Sequence, residues 1–478
     1  MQDTIRISRR AALAVPAAAG LSLAQPLTRE ARLKAPLTKP NGLNLVVIIA
    51  DTTRADHLGA YGNKRVKTPG LDRLAAEGVV FENCYADGLP TIPCRRVYHT
   101  GRSILHEKQN WWRPLEPEDI TLSETFLRAG GATTGFLADT YHYFAPNMNF
   151  HRGYSSWQWI RGQEGDRYIS GPRDAFDPSK HVPAHMLNTA YERALVQYMM
   201  NTSTRKGEED YFCAQTCRAA MDWLERNARQ KPFVLWVDTF DPHEPWDAPP
   251  RFQKMYREDY GFERYLFGYG VRNADIRPSD YPLLRDLYAA EVSFVDHWIG
   301  RLVDTIDRLG LRDDTVVLFS TDHGTHLGEQ GCVQKTPGLL NSCVARLPLI
   351  VRHPDRKYAG RRVKGFVSGA DYMLTMLALL GIRGLPGLDG RDFWKLVESE
   401  KNANYERLFI GFGGFGAVRD SRWHYFQNIS GKEPGKGPAL YDLTADPGET
   451  KNVAAENPKV VAELRNLMSQ RFQRELPG

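Results

Sequence analysis

Three residues that follow two apolar runs carry side chains able to hold a cation. Asp51 follows the run Leu45 to Ala50, and the pair Asp322-His323 comes just after Val316-Val317-Leu318-Phe319. Apolar runs of this length, rich in Val, Ile and Leu, read as parallel strands buried on both faces. In an open α/β sheet, groups just past the carboxyl ends of the strands collect in one crevice, so residues far apart in the chain share a pocket. Two carboxylates and one imidazole there offer ligands to a divalent ion, although a strand-end Asp taken singly is more often a helix N-cap.

The elements needed to position these groups are legible around them. Strand and helix signals alternate as a doubly wound, mostly parallel sheet requires. Thr68 before Pro69 reads as an N-cap with proline at the first helical position. Thr121 with Glu124 reads as a capping box for a helix ended by Gly130-Gly131. Further strands are expected over Ala132 to Ala138 and Phe233 to Val237, and a long helix from Pro282 to Leu309. From Asn147 to about Pro183 the chain is rich in Trp, Tyr, Gly, Arg and Asp without sustained periodicity, which reads as a long ordered insertion or lid. After Gly390 short strands are expected over Leu408 to Gly411, Ala417 to Arg419 and Trp423 to Gln427, then a helix around Pro458 to Arg474. The expected organisation is therefore a leader at 1–24, a linker at 25–42, an α/β catalytic domain at 43–389 and a smaller α+β C-terminal domain at 390–478.

A chain of 478 residues with 42% hydrophobic content has room for such a core. Its formal charge of +5 is small, and Lys and Arg are interspersed with Asp and Glu, so no nucleic-acid groove is indicated. Arg6, Arg9 and Arg10 precede an Ala/Leu/Val-rich stretch ending at Ser22-Leu23-Ala24, the pattern of a cleaved export signal of twin-arginine type. A periplasmic or secreted protein without stable membrane insertion is expected. Cys213 and Cys217, four apart, read as buried small apolar residues, and Cys332 and Cys343 as the pair better placed for a bridge.

The ordered motifs resemble the sulfatase family of the alkaline phosphatase superfamily, in particular its phosphonate monoester hydrolase-like branch. The opening strand and turn is Val47 to Gly59, the family helix Thr68 to Gly78, and the nucleophile turn Thr91-Ile92-Pro93-Cys94-Arg95 through Thr100-Gly101-Arg102. The middle loop is Phe240-Asp241-Pro242-His243-Glu244-Pro245-Trp246, followed later by Thr321-Asp322-His323-Gly324, Lys335 and Leu347 to Arg352. A terminal hairpin is matched by Leu440-Tyr441-Asp442-Leu443 and Asp446-Pro447-Gly448-Glu449.

The resemblance implies a metal centre of Asp51, Asp322 and His323, with the Thr91 hydroxyl as fourth ligand. Thr52 stands where many sulfatases have a second acid, and His323 where an amide is frequent. Losing a carboxylate and gaining an imidazole favours manganese, zinc or iron, with calcium or magnesium as alternatives. Family sulfatases oxidise a Cys or Ser at the nucleophile position to formylglycine. Thr91 would give a ketone, and Cys94 is followed at the required spacing by Arg96 and not proline, so no formylglycine is expected. Other branches of the superfamily use threonine itself as a nucleophile, its pKa lowered by a metal, with Arg95 and Lys335 holding the non-bridging oxygens. His243 resembles the family histidine that contacts the substrate anion or leaving group. Thr140 and Tyr141 are candidate substrate contacts and His142 a candidate proton donor. Arg96, Asn83 and His106 read as structural.

Together these readings point to a metal-dependent hydrolase of sulfate or phosphate/phosphonate esters, acting on a small anionic ester or a sulfated or phosphorylated glycan. A catalytically degenerate anion-binding protein and a phosphoryl-group transferase are the alternatives. The oligomeric state stays open, a homo-oligomer included.

Overall fold

The computed structural model describes residues 28–473 apart from 106, 108–110, 263, 400–403 and 431–436. The expected leader at 1–24 and His106 lie outside the described residues. The central sheet takes strands β1 (Asn44–Ala50), β2 (Val79–Tyr85), β3 (Thr133–Ala138), β4 (Ser156–Trp159), β5 (Phe233–Thr239), β6 (Thr315–Ser320), β7 (Arg346–Arg352) and β8 (Arg361–Ser368). Their spatial order is β8-β2-β7-β6-β1-β5-β3-β4, and only β7 runs against the others. The central strands β1, β5 and β6 are buried at every position, because helices cover both faces.

On one face pack α4 (Thr189–Thr202), α5 (Phe212–Asn227) and the 28-residue α6 (Tyr281–Arg308), with α1 (Pro69–Glu77) beside them. On the other lie α2 (Thr91–Thr100), α3 (Leu122–Arg128) and α7 (Tyr372–Leu379). The capping box at the start of α3 forms as expected. At α1, Thr68 does not cap its own helix; its hydroxyl accepts from Gly59 N and donates to Asp72, tying the preceding loop to the helix.

A second sheet holds β9 (Leu408–Phe412), β10 (Phe415–Arg419), β11 (Trp423–Asn428) and β12 (Ala439–Asp442), covered by α8 (Pro458–Phe472). Its edge is completed by Gly88–Leu89 from just before α2, so the C-terminal sheet is built onto the segment that delivers Thr91. Within the stretch read as an insertion, β4 extends the central sheet by pairing in parallel with β3. Cys213 and Cys217 are buried in α5, as expected. The anticipated bridge between Cys332 and Cys343 is absent: both are free thiols, Cys343 lining a cavity with Arg54 while Cys332 sits beside the ribbon strand Val333–Gln334. Among the described residues no helix is long and apolar enough to cross a membrane.

Candidate active site and metal centre

Adjacent parallel strands bring the chemistry together. In β1 and β6 the register pairs Ile49 with Ser320, so the residues two further on, Asp51 and Asp322, leave the sheet side by side. One ligand atom each from Asp51, Asp322 and His323 lies within 4.8 Å of the others, and all three residues are fully buried. The turn after Asp51 is forced tight. Thr52 adopts a left-handed backbone with φ of 53° and presents its N–H to Asp322 Oδ1 at 3.2 Å. Gly324 is required beyond the triad, since a Cβ there would meet the Cys343 carbonyl oxygen at 2.0 Å.

The donor set fits a cation. His323 Nδ1 lies 2.9 Å from the Gly324 carbonyl, a contact that needs its proton on Nδ1 and leaves the Nε2 lone pair facing the two carboxylates. Asp51 is fully buried and neither of its oxygens accepts a well-aligned hydrogen bond; Oδ2 has the Arg95 guanidinium 3.0 Å away, and Oδ1 is left with no close donor, a costly state in a protein interior. Burial and the neighbouring Asp322 push the Asp51 carboxyl well up, whereas for Asp322 the Arg95 guanidinium and His323 overcome burial and hold it below its usual range. Burial lowers His323 to about 4, keeping the imidazole a neutral ligand. Two buried acids that cannot both ionise comfortably are an arrangement that a divalent ion relieves.

Thr91 is the first residue of α2, and its Oγ1 lies 3.4 Å from His323 Nε2. The helix amino end favours negative charge at that position. Arg95, one turn on, falls on the same face of α2. It is fully buried, and its guanidinium is turned to three carboxylates, contacts that its reading as a clamp on substrate oxygens did not anticipate. Two of its nitrogens are taken by Asp238, Nε to Oδ2 at 3.1 Å and Nη2 to Oδ1 at 2.7 Å. The remaining Nη1 turns toward Asp322 and lies 3.0 Å from Asp51 Oδ2. Asp238 also accepts from Tyr143 OH at 2.6 Å and Thr140 Oγ1 at 2.9 Å. Thr140 is fully buried and its hydroxyl is committed to Asp238, which corrects its reading as a substrate contact; it positions the carboxylate that holds Arg95.

The mouth is formed by His243, Lys335, Tyr141 and His142. Lys335 Nζ donates to His243 Nε2 at 2.6 Å and to Glu244 Oε1 at 3.4 Å, while His243 Nδ1 donates to the Glu244 carbonyl at 2.6 Å. Burial, reinforced by Lys335, keeps His243 well below its ordinary pKa and therefore neutral. His142 is lowered to about 3 by burial and by the charges of Arg95 and Lys335, which places it in the same electrostatic field as the triad. Its ring meets Trp112 edge-on at 5.0 Å and Phe240 at 5.7 Å.

Sequence reasoning missed three acids here: Asp238, Glu244 and Glu164. Asp238 had a usable signal, a carboxylate inside a strand otherwise buried at every position. Glu244 lay within the quoted middle-loop motif without a role. Glu164 comes from the aperiodic insertion and had no sequence signal at all.

A sulfatase family model matches residues 43–382, and a model of the C-terminal region of N-sulphoglucosamine sulphohydrolase matches residues 328–475. The chain belongs to the sulfatase family. Iduronate 2-sulfatase of Mus musculus is 26% identical over 370 residues, covering 66% of this chain, and the chain spans only 60% of that relative's length. An arylsulfatase of Clostridium perfringens is 26% identical over 86% of this chain and 90% of its own length. The crystal structure of the phosphonate monoester hydrolase of Agrobacterium radiobacter has the same fold, with a TM-score of 0.72 at 23% identity over 90% of this chain and 96% of that one. Sulfatase-family enzymes use a metal ion, and the Asp51, Asp322 and His323 cluster is a group of ligands able to hold one.

Proposed function

We propose that this sulfatase-family chain is an exported, metal-dependent hydrolase of phosphate or phosphonate esters that uses the unmodified Thr91 hydroxyl as nucleophile. The observation that carries the reading is the position of Thr91 Oγ1, 3.4 Å from the ligand nitrogen of His323 and one helical turn from Arg95. A divalent cation held by Asp51, Asp322 and His323, with Thr91 as the fourth ligand, would supply Lewis acidity and lower the hydroxyl pKa. The imidazole in the set favours manganese, zinc or iron over calcium or magnesium.

The chain's own groups account for the rest of the cycle. Thr91 Oγ gives up its proton to solvent and forms a bond to phosphorus while the bond from phosphorus to the ester oxygen breaks. The leaving oxygen takes a proton from water; His142, lowered to about 3 and therefore neutral, offers it a hydrogen bond and does not serve as the proton donor expected from the sequence. Lys335, held by His243 and Glu244, faces the charge that develops on the non-bridging oxygens, while Arg95 fixes the two ligand aspartates. Water then attacks phosphorus, releases the acid and restores the Thr91 hydroxyl. Threonine offers no aldehyde through which a sulfo-enzyme could expel sulfate, which sets phosphorus ahead of sulfur. Sulfate esters are the second reading, favoured by the two family models.

The test is a paired assay of aryl sulfate, phosphodiester and phosphonate ester after loading with each metal, together with mass spectrometry of quenched enzyme. The expected results are faster turnover of a phosphorus ester, a phosphoryl or phosphonyl adduct on Thr91, and loss of both in Thr91→Ala with an unchanged melting temperature. Turnover retained by Thr91→Ala would refute the nucleophile, and its absence on every ester would return the chain to anion binding. Fractionation of the native host cells tests export.

A further inference from the structure

Glu164 reaches the mouth of the site from the insertion, and its delivery is unusually well fixed. Its backbone is left-handed, with φ of 49°, a conformation that strains a non-glycine residue and persists only where the surroundings enforce it. They do so here. Gln163 beside it donates to Asp241 at 2.7 Å and Asp139 at 3.3 Å. Asp166 binds Arg161 through both oxygens and accepts from Gly162 N, and Asn201 holds the carbonyls of Gly162 and Asp166. The turn is latched on both sides of Glu164, whose side chain points inward at 6% exposure.

What Glu164 meets there offsets its charge only in part. Tyr141 donates its hydroxyl to the carboxylate. Oε2 lies 3.8 Å from His142 Nε2, but burial keeps that imidazole neutral. Lys335, the nearby cation, is already engaged by His243 and Glu244. A carboxylate has about four acceptor sites, so a hydrogen-bond donor from outside has room to bind. The ring of His142, its neighbour, is flanked in turn by those of Tyr141, Trp112 and Phe240, with Trp112 37% exposed, a ring-lined frame for the body of a leaving group.

We propose that Glu164 is a specificity-determining residue on the leaving-group side, accepting a hydrogen bond from a hydroxyl or ammonium of the leaving alcohol and rejecting leaving groups that carry an anion. The inference rests on the function proposed above and names the substrate class of that site. A purely structural turn has no use for a buried carboxylate, since glutamine would accept from Tyr141 equally well without the cost of burying a charge.

The experiment uses metal-loaded enzyme and aryl esters whose para substituent is aminomethyl, hydroxymethyl, ethyl or carboxymethyl. The intervening methylene keeps the four leaving groups electronically similar, and both phosphonate and sulfate series are run. Wild type should favour aminomethyl and hydroxymethyl over ethyl by roughly 10- to 100-fold in kcat/KM, the range of a hydrogen bond to a charged group. Carboxymethyl should be slowest. In Glu164→Gln the aminomethyl advantage should vanish, the hydroxymethyl one should persist, and the carboxymethyl ester should gain. An aminomethyl advantage that survives with hydroxymethyl equally favoured assigns the preference to another group and overturns the proposal, as does an unchanged order across all four. If Glu164→Gln fails to fold, Glu164→Asp, which keeps the charge but draws it back by one methylene, should reduce the aminomethyl advantage, and an unchanged advantage in that variant overturns the proposal. If wild type turns over no ester, calorimetry of para-(aminomethyl)phenol and para-ethylphenol on the same protein separates the two ideas: selective binding of the amine, lost in Glu164→Gln, supports the subsite while the catalytic reading falls, and equal binding of both phenols overturns the subsite as well.

Discussion

Asp238→Asn isolates the buried support of the metal centre. Asp238 is fully buried and accepts four hydrogen bonds, two from Arg95 and one each from Tyr143 and Thr140. The asparagine is nearly the same size, so no cavity opens, but its amide nitrogen must face a donor and its charge is gone. Removing one partner of a buried ion pair costs about 3–5 kcal/mol, because the other charge is left uncompensated. Tyr143→Phe deletes a single charge-assisted hydrogen bond and should cost about 1.5–3 kcal/mol. Against a total stability of about 5–15 kcal/mol the first loss is severe and the second tolerable. Guanidinium unfolding followed by the fluorescence of the ten tryptophans, Trp236 on β5 among them, reads both. A second readout is specific to the site: Arg95, released from Asp238, is drawn further onto Asp51 and Asp322 and competes with the cation. Metal occupancy at fixed free metal should therefore fall in Asp238→Asn and stay close to wild type in Tyr143→Phe. Equal destabilisation by the two variants, with occupancy unchanged, would refute the view that Asp238 holds Arg95 in place for the centre.

Three further outcomes follow from named groups. Added metal at a hundredfold excess over its dissociation constant should stabilise wild type by about 2.7 kcal/mol in thermal or chemical unfolding, and Asp51→Asn should lose that increment; an equal increment in the variant would place the cation elsewhere. Glu449 is buried and accepts from Ser342 N, Ser342 Oγ at 2.9 Å, His424 Nδ1 at 2.7 Å and Arg419 Nη1 at 3.2 Å, pinning the C-terminal sheet to the catalytic unit. These partners, His424 foremost, overcome burial and hold its carboxyl at about 2, below 4.5, so its contribution of about 3 kcal/mol is present above pH 4.5 and lost as pH falls through 2. Glu449→Gln should accordingly be less stable at neutral pH yet match wild type near pH 2, and a constant difference across that range would contradict the assignment. Burial pushes Glu164 up to about 7, with Glu244 adding to the rise and Tyr141 and Lys335 opposing it, so the carboxylate is charged above that pH. The preference for an ammonium-bearing leaving group should grow as pH rises through 7, and be flat in Glu164→Gln; at the same time the folded state loses stability from Glu164 between pH 4.5 and 7, because the unfolded chain ionises first.

The difference between what the sequence disclosed and what it withheld is a difference between local and convergent information. Strands β1, β5 and β6 and the helix α6 announce themselves through apolar runs and periodicity, and the rule that strand ends share a crevice then carries Asp51, Asp322 and His323 to one place without any contact being known. Thr91 and Arg95 were legible only through the resemblance, as members of the nucleophile turn; that they share one face of α2 comes from the structure. Which partner Arg95 would choose was not legible. Its guanidinium could equally have met substrate, and the outcome turned on Asp238, a single carboxylate arriving on a neighbouring strand at the right register. Thr140 was misread for the same reason: a hydroxyl one turn from the mouth points outward or inward according to what lies beneath it, and Asp238 lies beneath it. Glu164 is the extreme case. Its position depends on an irregular turn held by Gln163, Asp166 and Asn201, residues without periodicity or motif, so only the assembled structure shows its carboxylate turned inward beside His142. On the proposed reading, residues set by the regular scaffold carry the chemistry, and those set by irregular segments select the substrate. Substitutions in the turn around Glu164 should alter substrate preference and leave the metal site intact, while substitutions around Asp238 should damage metal binding and stability for every substrate alike.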